Sequence, residues 1–323
     1  MAGMLGGADA QTTFKEKVVR LGHRIDSVQM IRYWRPNIDT NYVIRPQTKW
    51  TVTGRFNLSG AQIMAKGQKD GYHSEAKMTA DFKSTFNVSV SYMGLTLGFS
   101  LNPAKMFGKY HDYELGFRSY GRRFGFDIAY QDAHNFKGWT DVRGDRKDVK
   151  TTSEDVFRLR TLNVNAYYVF SPRRFSYPAA FSHSYIQRRS AGSFLLAASG
   201  QGQHGKVNAY GRSMDFKMTN IGIGAGYGYN YVPARGWLLH LSTLPTLIVY
   251  SNTSLDIDDT SLPLHYHFPE VIITARGAIV KQIGRNKFAG LSAVYSYSRI
   301  GHKESLYVRN RKWLVHLYFG FRF

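Results

Sequence analysis

Cysteine is absent from the 323 residues, which excludes disulfides and Cys-ligated metal and suits a protein of the outer membrane. Long apolar runs are missing too. No stretch approaches the ~18–20 consecutive apolar residues of a spanning helix. Acidic residues are scarce, 22 against 43 Lys and Arg, for a formal charge of +21. That excess would suit nucleic acid, but the basic residues are spread over turns, loops and polar strand faces, and no helix or block concentrates them. The sequence therefore gives no nucleic-acid partner, and anionic lipid or a positive pore interior fits the charge better. Nucleotide and hydrolase signatures are lacking as well: there is no P-loop, no H-E-x-x-H and no G-x-S-x-G. Gly222-Ile-Gly-Ala-Gly226 lies within a strand pattern and is not a phosphate loop.

What the chain has in quantity is aromatic residues and glycine: 22 Tyr, 21 Phe and 31 Gly. The final eleven residues, Trp313-Leu-Val-His-Leu-Tyr-Phe-Gly-Phe-Arg-Phe323, are the most telling. Trp313, Val315, Leu317, Phe319, Phe321 and Phe323 fall on one face of a strand, and Lys312, His316, Tyr318, Gly320 and Arg322 on the other. An exposed apolar edge of this kind invites aggregation in a soluble protein. In a closed membrane barrel the last strand pairs with the first and its apolar face meets lipid. Trp313, Phe319, Phe321 and Phe323 thus resemble the closing-strand signature that the barrel-insertion machinery of bacterial outer membranes reads. A mean hydropathy of −0.34 is compatible, because only every second strand residue need be apolar.

The same period of 2 runs from Lys49 onward. Val52, Gly54, Phe56 and Leu58 share a face. From Lys77 to Tyr92, Met78, Ala80, Phe82, Phe86, Val88, Val90 and Tyr92 face one way, and this ~16-residue run exceeds the usual strand of a soluble sheet. Ten more candidates follow: Leu95–Leu101, Tyr113–Tyr120, Phe124–Tyr130, Phe157–Phe170, Ser193–Gly202, Asp215–Tyr231, Trp237–Tyr250, Val271–Lys281, Phe288–Arg299 and Asn310–Phe323. The total of about twelve is even, as in bacterial single-chain barrels. Connections alternate as a barrel with both termini periplasmic requires. Met93-Gly94, Gly121–Arg123, Val232–Gly236 and Gln282–Lys287 are short, while Gln131–Val156, Gln203–Met214 and Ser251–Glu270 are long and polar. The expected fold is all-β: one antiparallel transmembrane outer-membrane β-barrel over residues 48–323.

Two segments stand apart. Residues 1–10 look like the residue of a signal peptide, with Ala8-Asp9-Ala10 as a cleavage-like site. Residues 11–47 read as a periplasmic segment with a short helix spaced on Phe14, Val18 and Leu21. Ser171–Arg189 occupies the place of a short turn but is about nineteen residues long, and long loops are often functional or folded inward. Phe175, Tyr177, Pro178, Phe181, Tyr185 and Gln187 are its plug candidates. Gly222, Gly224, Gly226 and Gly228 on one interior face would let another backbone approach, or would ease barrel curvature.

Asn37–Pro46, Ser91–Pro103, Tyr120–Asp127 and Phe175–Gln187 together resemble an uncharacterised Bacteroidetes outer-membrane barrel family, a domain of unknown function. The likeness spans roughly residues 37 to 323. It implies location and fold and makes Phe175–Gln187 a family feature. It carries over no activity.

The polar strand faces supply the predicted lumen-lining residues: Arg55, Lys77, Asp81, Lys83, Glu114, Arg118, Asp127, Arg276, His316 and Arg322. Their basic excess favours anions if a path is open. Twelve strands lie between filled 8-stranded barrels and conducting 16–18-stranded ones. His265-Tyr-His267 and Asp256, Asp258 and Asp259 fall short of a metal ligand set, so no metal and no cofactor is expected. His240 and His316 lie on polar faces, but spacing names no nucleophile–base pair and no catalytic residue. The function expected is a narrow, partly plugged channel or transporter for small anionic solutes in the outer membrane, in contact with lipid and lipopolysaccharide. A structural or assembly role with a protein partner, and a membrane-embedded lipid hydrolase, are the alternatives.

Overall fold

The computed structural model describes Glu16, Arg20 and residues 37–323, apart from 70–71, 81–82, 93–94, 102–112, 134–135, 143–144, 152–156, 210–211, 258–259, 265–267 and 302–305. The chain divides into two compact units, Met1–Asn37 and Ile38–Phe323, of which the second is described here. The signal-like start, the Phe14–Leu21 helix, Met93-Gly94, His265–His267, Asp258 and Asp259 lie outside the described residues. Among the described residues no helix is long and apolar enough to cross a membrane, which says nothing about crossing by strands.

Twelve strands close a ring. They are β2 (Trp50–Lys69), β4 (Lys83–Tyr92), β5 (Leu95–Leu101), β6 (Tyr113–Tyr120), β7 (Phe124–Ala133), β10 (Phe157–Val169), β12 (Ala191–Ala209), β13 (Arg212–Tyr231), β14 (Trp237–Ile257), β16 (Glu270–Ile283), β17 (Lys287–Gly301) and β18 (Leu306–Arg322). Each is antiparallel to its neighbours in that order, and β18 pairs with β2 from Leu306↔Gly67 to Arg322↔Thr51. The seam ends on reciprocal bonds between Trp50 and Phe323, N to O at 2.9 and 3.0 Å. The chain's fold is therefore a twelve-stranded antiparallel barrel, as the period-2 pattern predicts.

The burial is inverted relative to a soluble barrel. Along β2, Thr51, Thr53, Arg55 and Asn57 are buried, while Phe56 and Leu58 are exposed. Along β4, Ser89 and Ser91 are buried, while Val88 and Val90 are exposed. Leu241 is 70% exposed and its strand neighbour Ser242 only 2%. Apolar side chains are thus presented outward in rows, an arrangement that lipid stabilises and water does not. On β13 the outward row runs from Ile221 to Tyr231; ten steps at ~3.3 Å span about 33 Å, or about 25 Å along the axis at a ~40° tilt. That height matches the apolar band of a membrane barrel. Trp50, Phe124, Phe170, Tyr231, Trp237, Phe321 and Phe323 are exposed near the end where both strand termini of the seam lie, forming an aromatic girdle.

At that end, here the turn end, Gly121–Arg123, Val232–Gly236 and residues 284–286 are tight links. Gly236 (φ 81°) and Gly284 (φ 65°) take left-handed conformations there, which a Cβ would disfavour.

The opposite end departs from the expected long loops. The Lys77–Tyr92 run is two strands rather than one: β4 pairs with β2 and β5, whereas β3 (Tyr72–Ala80) pairs with β2 and β8 (Phe136–Val142). The cause is length, because β2 outlasts β4 and its last residues need another partner. Gln131–Val156 is not all loop, since β8 and β9 (Asp145–Thr151) form a hairpin within it. Gln203–Met214 shrinks to residues 210–211, with β12 and β13 paired on to Ala209↔Arg212. β14 runs to Ile257 and pairs with β15 (Thr260–Leu264). β3, β8, β9 and β15 lie off the ring of twelve, a placement set by pairing and not by alternation.

Candidate functional site: the barrel interior

The link between β10 and β12, residues 170–190, is folded against the inner wall. Ser176 caps helix α1 (Tyr177–Phe181), its Oγ accepting from Ala179 N at 3.2 Å, and Pro178 suits the first turn. The helix ends at His183, whose left-handed backbone (φ 57°) lets its N–H reach Pro178 O at 2.8 Å, a helix-terminating geometry. β11 (Ile186–Gln187) then pairs with β1 (Val43–Ile44). Flanking bonds extend that short ladder: Asp39 N to Arg173 O at 2.9 Å, Arg188 N to Tyr42 O at 2.7 Å, and an ion pair between Arg174 and Asp39 at 3.4 Å. Arg45 donates to the Tyr185 hydroxyl and lies over its ring.

This insert builds an apolar core inside the barrel. Val43, Phe175, Tyr177, Ala179 and Ala180 are all 1% exposed or less. They pack with Leu238, Val280, Phe288 and Tyr318 on one side and with Tyr120, Tyr167, Val169 and Leu195 on the other. Phe175 fits over Gly228, where a Cβ would stand 3.1 Å from its ring. Gly222, Gly224 and Gly226 differ: a Cβ on them would meet Thr246, Pro245 and Thr243 of β14. Only one of the four expected glycines faces the insert, and the other three relieve crowding between adjacent strands beside the register shift at Ile221/Gly222.

Polar groups fasten the insert to the wall. Arg322, 2% exposed, donates Nε to His183 O at 3.0 Å and an Nη to Gln282 Oε1 at 2.8 Å. Burial and the neighbouring Arg55 and Arg322 cations hold the His183 imidazole well below its usual pKa, so it is neutral at pH 7. Gln187 accepts from Ser176 N at 3.0 Å and donates to Arg174 O and Arg189 O. Asn230 donates Nδ2 to Ser176 O and Gln187 Oε1 at 2.9 and 3.0 Å. Its Oδ1 lies 2.7 Å from His240 Nδ1, and His240 Nε2 lies 2.9 Å from Ser242 Oγ.

Above the insert is a cavity of about 350 Å³ lined by residues that include Arg55, Asp127, Tyr177, Phe181, Arg276, Lys312, His316 and Tyr318. Arg276 on β16 reaches Asp127 on β7, five strands round the ring, at 3.8 Å, and Asn165 donates to Asp127 at 3.0 Å. His316 is hydrogen-bonded to Asn57. Of the predicted lumen-lining residues, Arg55, Asp127, Arg276 and His316 therefore gather at this cavity. Arg322 sits beneath it against the insert. Lys77 lies on β3, outside the ring. Glu114 and Arg118 are in register with Gln131 and Asp127, and Lys83 with Ser59; their side chains, and all of Asp81, lie outside what the structure describes. In the closing strand, Phe319, Phe321 and Phe323 are exposed and Trp313 is half-buried on Gly60. Sequence placed His240 and Lys312 on polar strand faces, but it showed neither the Asn230–His240–Ser242 chain nor Lys312 at the cavity. His240 and Ser242 do share a polar face at i, i+2, but Asn230 needed the β13–β14 register.

Among the described residues no group of three metal-ligating side chains is clustered. Comparison with protein families gives a match over residues 37–323 to a domain of unknown function, DUF4421. The chain belongs to that family. No curated protein matches. Among solved structures, the chain is similar to the outer-membrane protease OmpT of Escherichia coli at 8% identity and a TM-score of 0.45, covering 86% of this chain and 97% of that one. It is also similar to the translocator domain of autotransporter NalP of Neisseria meningitidis (13% identity, TM-score 0.32, 97% and 98% covered) and to OprG of Pseudomonas aeruginosa (11%, 0.29, 86% and 97%). No role is transferred from them to this member of the family.

Proposed function

We propose that the protein is an outer-membrane conduit for small anionic solutes, gated at its periplasmic turn end by the β1–α1–β11 insert. The observation that carries this reading is the charge of the cavity: among the described residues, Arg55, Arg276 and Lys312 line it with one carboxylate, Asp127. Asp127 is already engaged by Arg276, so the balance of the lining is cationic and favours anions. The aromatic and apolar floor beneath closes the path in the latched state. The exposed apolar rows and girdle support a place in the outer membrane of a Gram-negative bacterium. A Bacteroidetes source goes with the family resemblance. Lipid and lipopolysaccharide contact, and entry through the barrel-insertion machinery by way of the Phe319–Phe323 strand, belong to the same reading.

The test is conductance in planar bilayers. Wild-type protein should pass little current. Removal of residues 175–187 should raise conductance, with a reversal potential in a salt gradient on the anion-selective side. Silence after that deletion in a barrel that keeps its heat-modifiable gel mobility, or cation selectivity, would sink the proposal.

A further inference from the structure

The wall beneath the cavity carries a chain of polar groups whose directions are fixed. Asn230, 0% exposed, gives both amide hydrogens to acceptors, Ser176 O and Gln187 Oε1. The Gln187 amide is oriented in turn, because its Nε2 donates to two carbonyls and its Oε1 accepts from Ser176 N. Asn230 Oδ1 must then face His240, and as an oxygen it can only accept. His240 therefore carries its proton on Nδ1. Nε2 is left bare, and Ser242 Oγ–H donates to it across 2.9 Å. This is the connectivity of a nucleophile, its base and the group that orients the base.

We propose that Ser242, His240 and Asn230 form a hydrolytic site for a small, negatively charged carboxylic ester, covered in this structure by Tyr177. The Tyr177 ring stands edge-on to the His240 ring, centroids 5.4 Å apart, with Phe181 edge-on to it at 5.0 Å, and both Tyr177 and Phe181 line the cavity. These two rings thus stand at the boundary between the cavity and the base. Arg276 stands opposite Ser242 in the β14–β16 ladder and also lines the cavity, placing a fixed cation where an ester oxygen would gain negative charge.

With Tyr177 swung aside, Ser242 Oγ attacks the ester carbonyl while His240 Nε2 takes its proton. The carbonyl–alkoxy bond breaks, and the alkoxide leaves with that proton as an alcohol. Water then attacks the acyl-serine, giving a proton to Nε2, and Ser242 Oγ leaves and recovers it. The products are one alcohol and one carboxylic acid, and Asn230 acts as a positioning residue throughout. This inference does not rest on conduction, since a closed conduit could hydrolyse and an open one need not.

The experiment uses purified full-length protein in detergent, mono-4-nitrophenyl succinate as substrate and a fluorophosphonate probe, with intact-mass and peptide mapping. Tyr177→Ala should hydrolyse the ester at least tenfold faster than the wild type and take the adduct at Ser242. Adding Ser242→Ala should abolish both. Asn230→Ala in the Tyr177→Ala background should lower kcat with little change in KM and shift the pH–rate profile. Tyr177→Leu keeps an apolar side chain on the floor but removes the ring and its hydroxyl, so it decides the matter if Tyr177→Ala fails to fold. No adduct at Ser242 in Tyr177→Leu and in any folded Tyr177→Ala, judged by heat-modifiable mobility, would overturn the proposal.

Discussion

At Arg322 one guanidinium joins the last strand of the barrel to the insert. It is almost fully buried and bonds both His183 O and Gln282 Oε1. Hydrogen bonds from charged donors contribute ~1.5–3 kcal/mol each, so losing two in Arg322→Ala should lower stability by about 3–6 kcal/mol, read as a shift of the urea midpoint for loss of the heat-modifiable band. His183 sets a pH dependence. Its folded-state pKa is held well below the usual histidine value of about 6.5 by burial and the nearby Arg55 and Arg322 cations, so the unfolded chain binds more protons and stability rises with pH in that window. Stability is complete above pH ~6.5 and declines as pH falls from there toward the folded pKa. His183→Asn, which tolerates the left-handed backbone, should flatten that decline in unfolding measured from pH 7.5 to 5. Arg322 and Phe323 were legible as opposite faces of one strand because alternation alone decides the face. What Arg322 touches was not, because its partner lies 139 positions away in sequence.

Among the elements, legibility followed the exposed apolar rows. β2, β4 and β13 advertise themselves because exposed apolar side chains alternate with buried polar or small ones along each. β3, β8 and β9 pair outside the ring of twelve, and Asp145-Arg-Lys-Asp-Val-Lys-Thr151 is polar on both faces, so its strand shows no period. β1 and β11 are two residues each, too short for any pattern, and their pairing is a tertiary fact. Phe175 and Tyr177 were recognisable as unusual for a turn, and Gly228 as a place of close approach, yet nothing in the sequence separated Gly228 from Gly222, Gly224 and Gly226. The geometry now separates them. Gly228→Val should push on Phe175, Leu195 and Ser242, the atoms nearest its missing Cβ, and raise the conductance of the full-length barrel. Gly200→Val, whose Cβ position is open, should leave conductance near the wild-type level in the same recording.

For the molecule as a whole, the ladder between β1 and β11 couples a segment at the start of the barrel unit to one near its middle. Ile44 and Ile186 face each other across it. A disulfide formed after Ile44→Cys and Ile186→Cys should hold the insert in place, suppressing current in Gly228→Val until reductant is added. Current that is indifferent to the crosslink would place the gate elsewhere. The cationic cavity predicts a second whole-molecule property: Lys312→Glu together with Arg55→Gln should reduce anion selectivity, measured as a shift in reversal potential.

The interior ladder also bears on the order in which the protein is made. β1 precedes β2, and β2 must join β18 to close the ring. Seating residues 171–190 on β1 while the sheet is still open needs no threading through the end of a finished cylinder. The order we expect is a sheet that curls around its own contents before Trp50 meets Phe323. An Ile44→Cys/Ile186→Cys crosslink should accordingly form in pulse-labelled chains earlier than the heat-modifiable band, and a crosslink that lags the band would reverse that sequence of events.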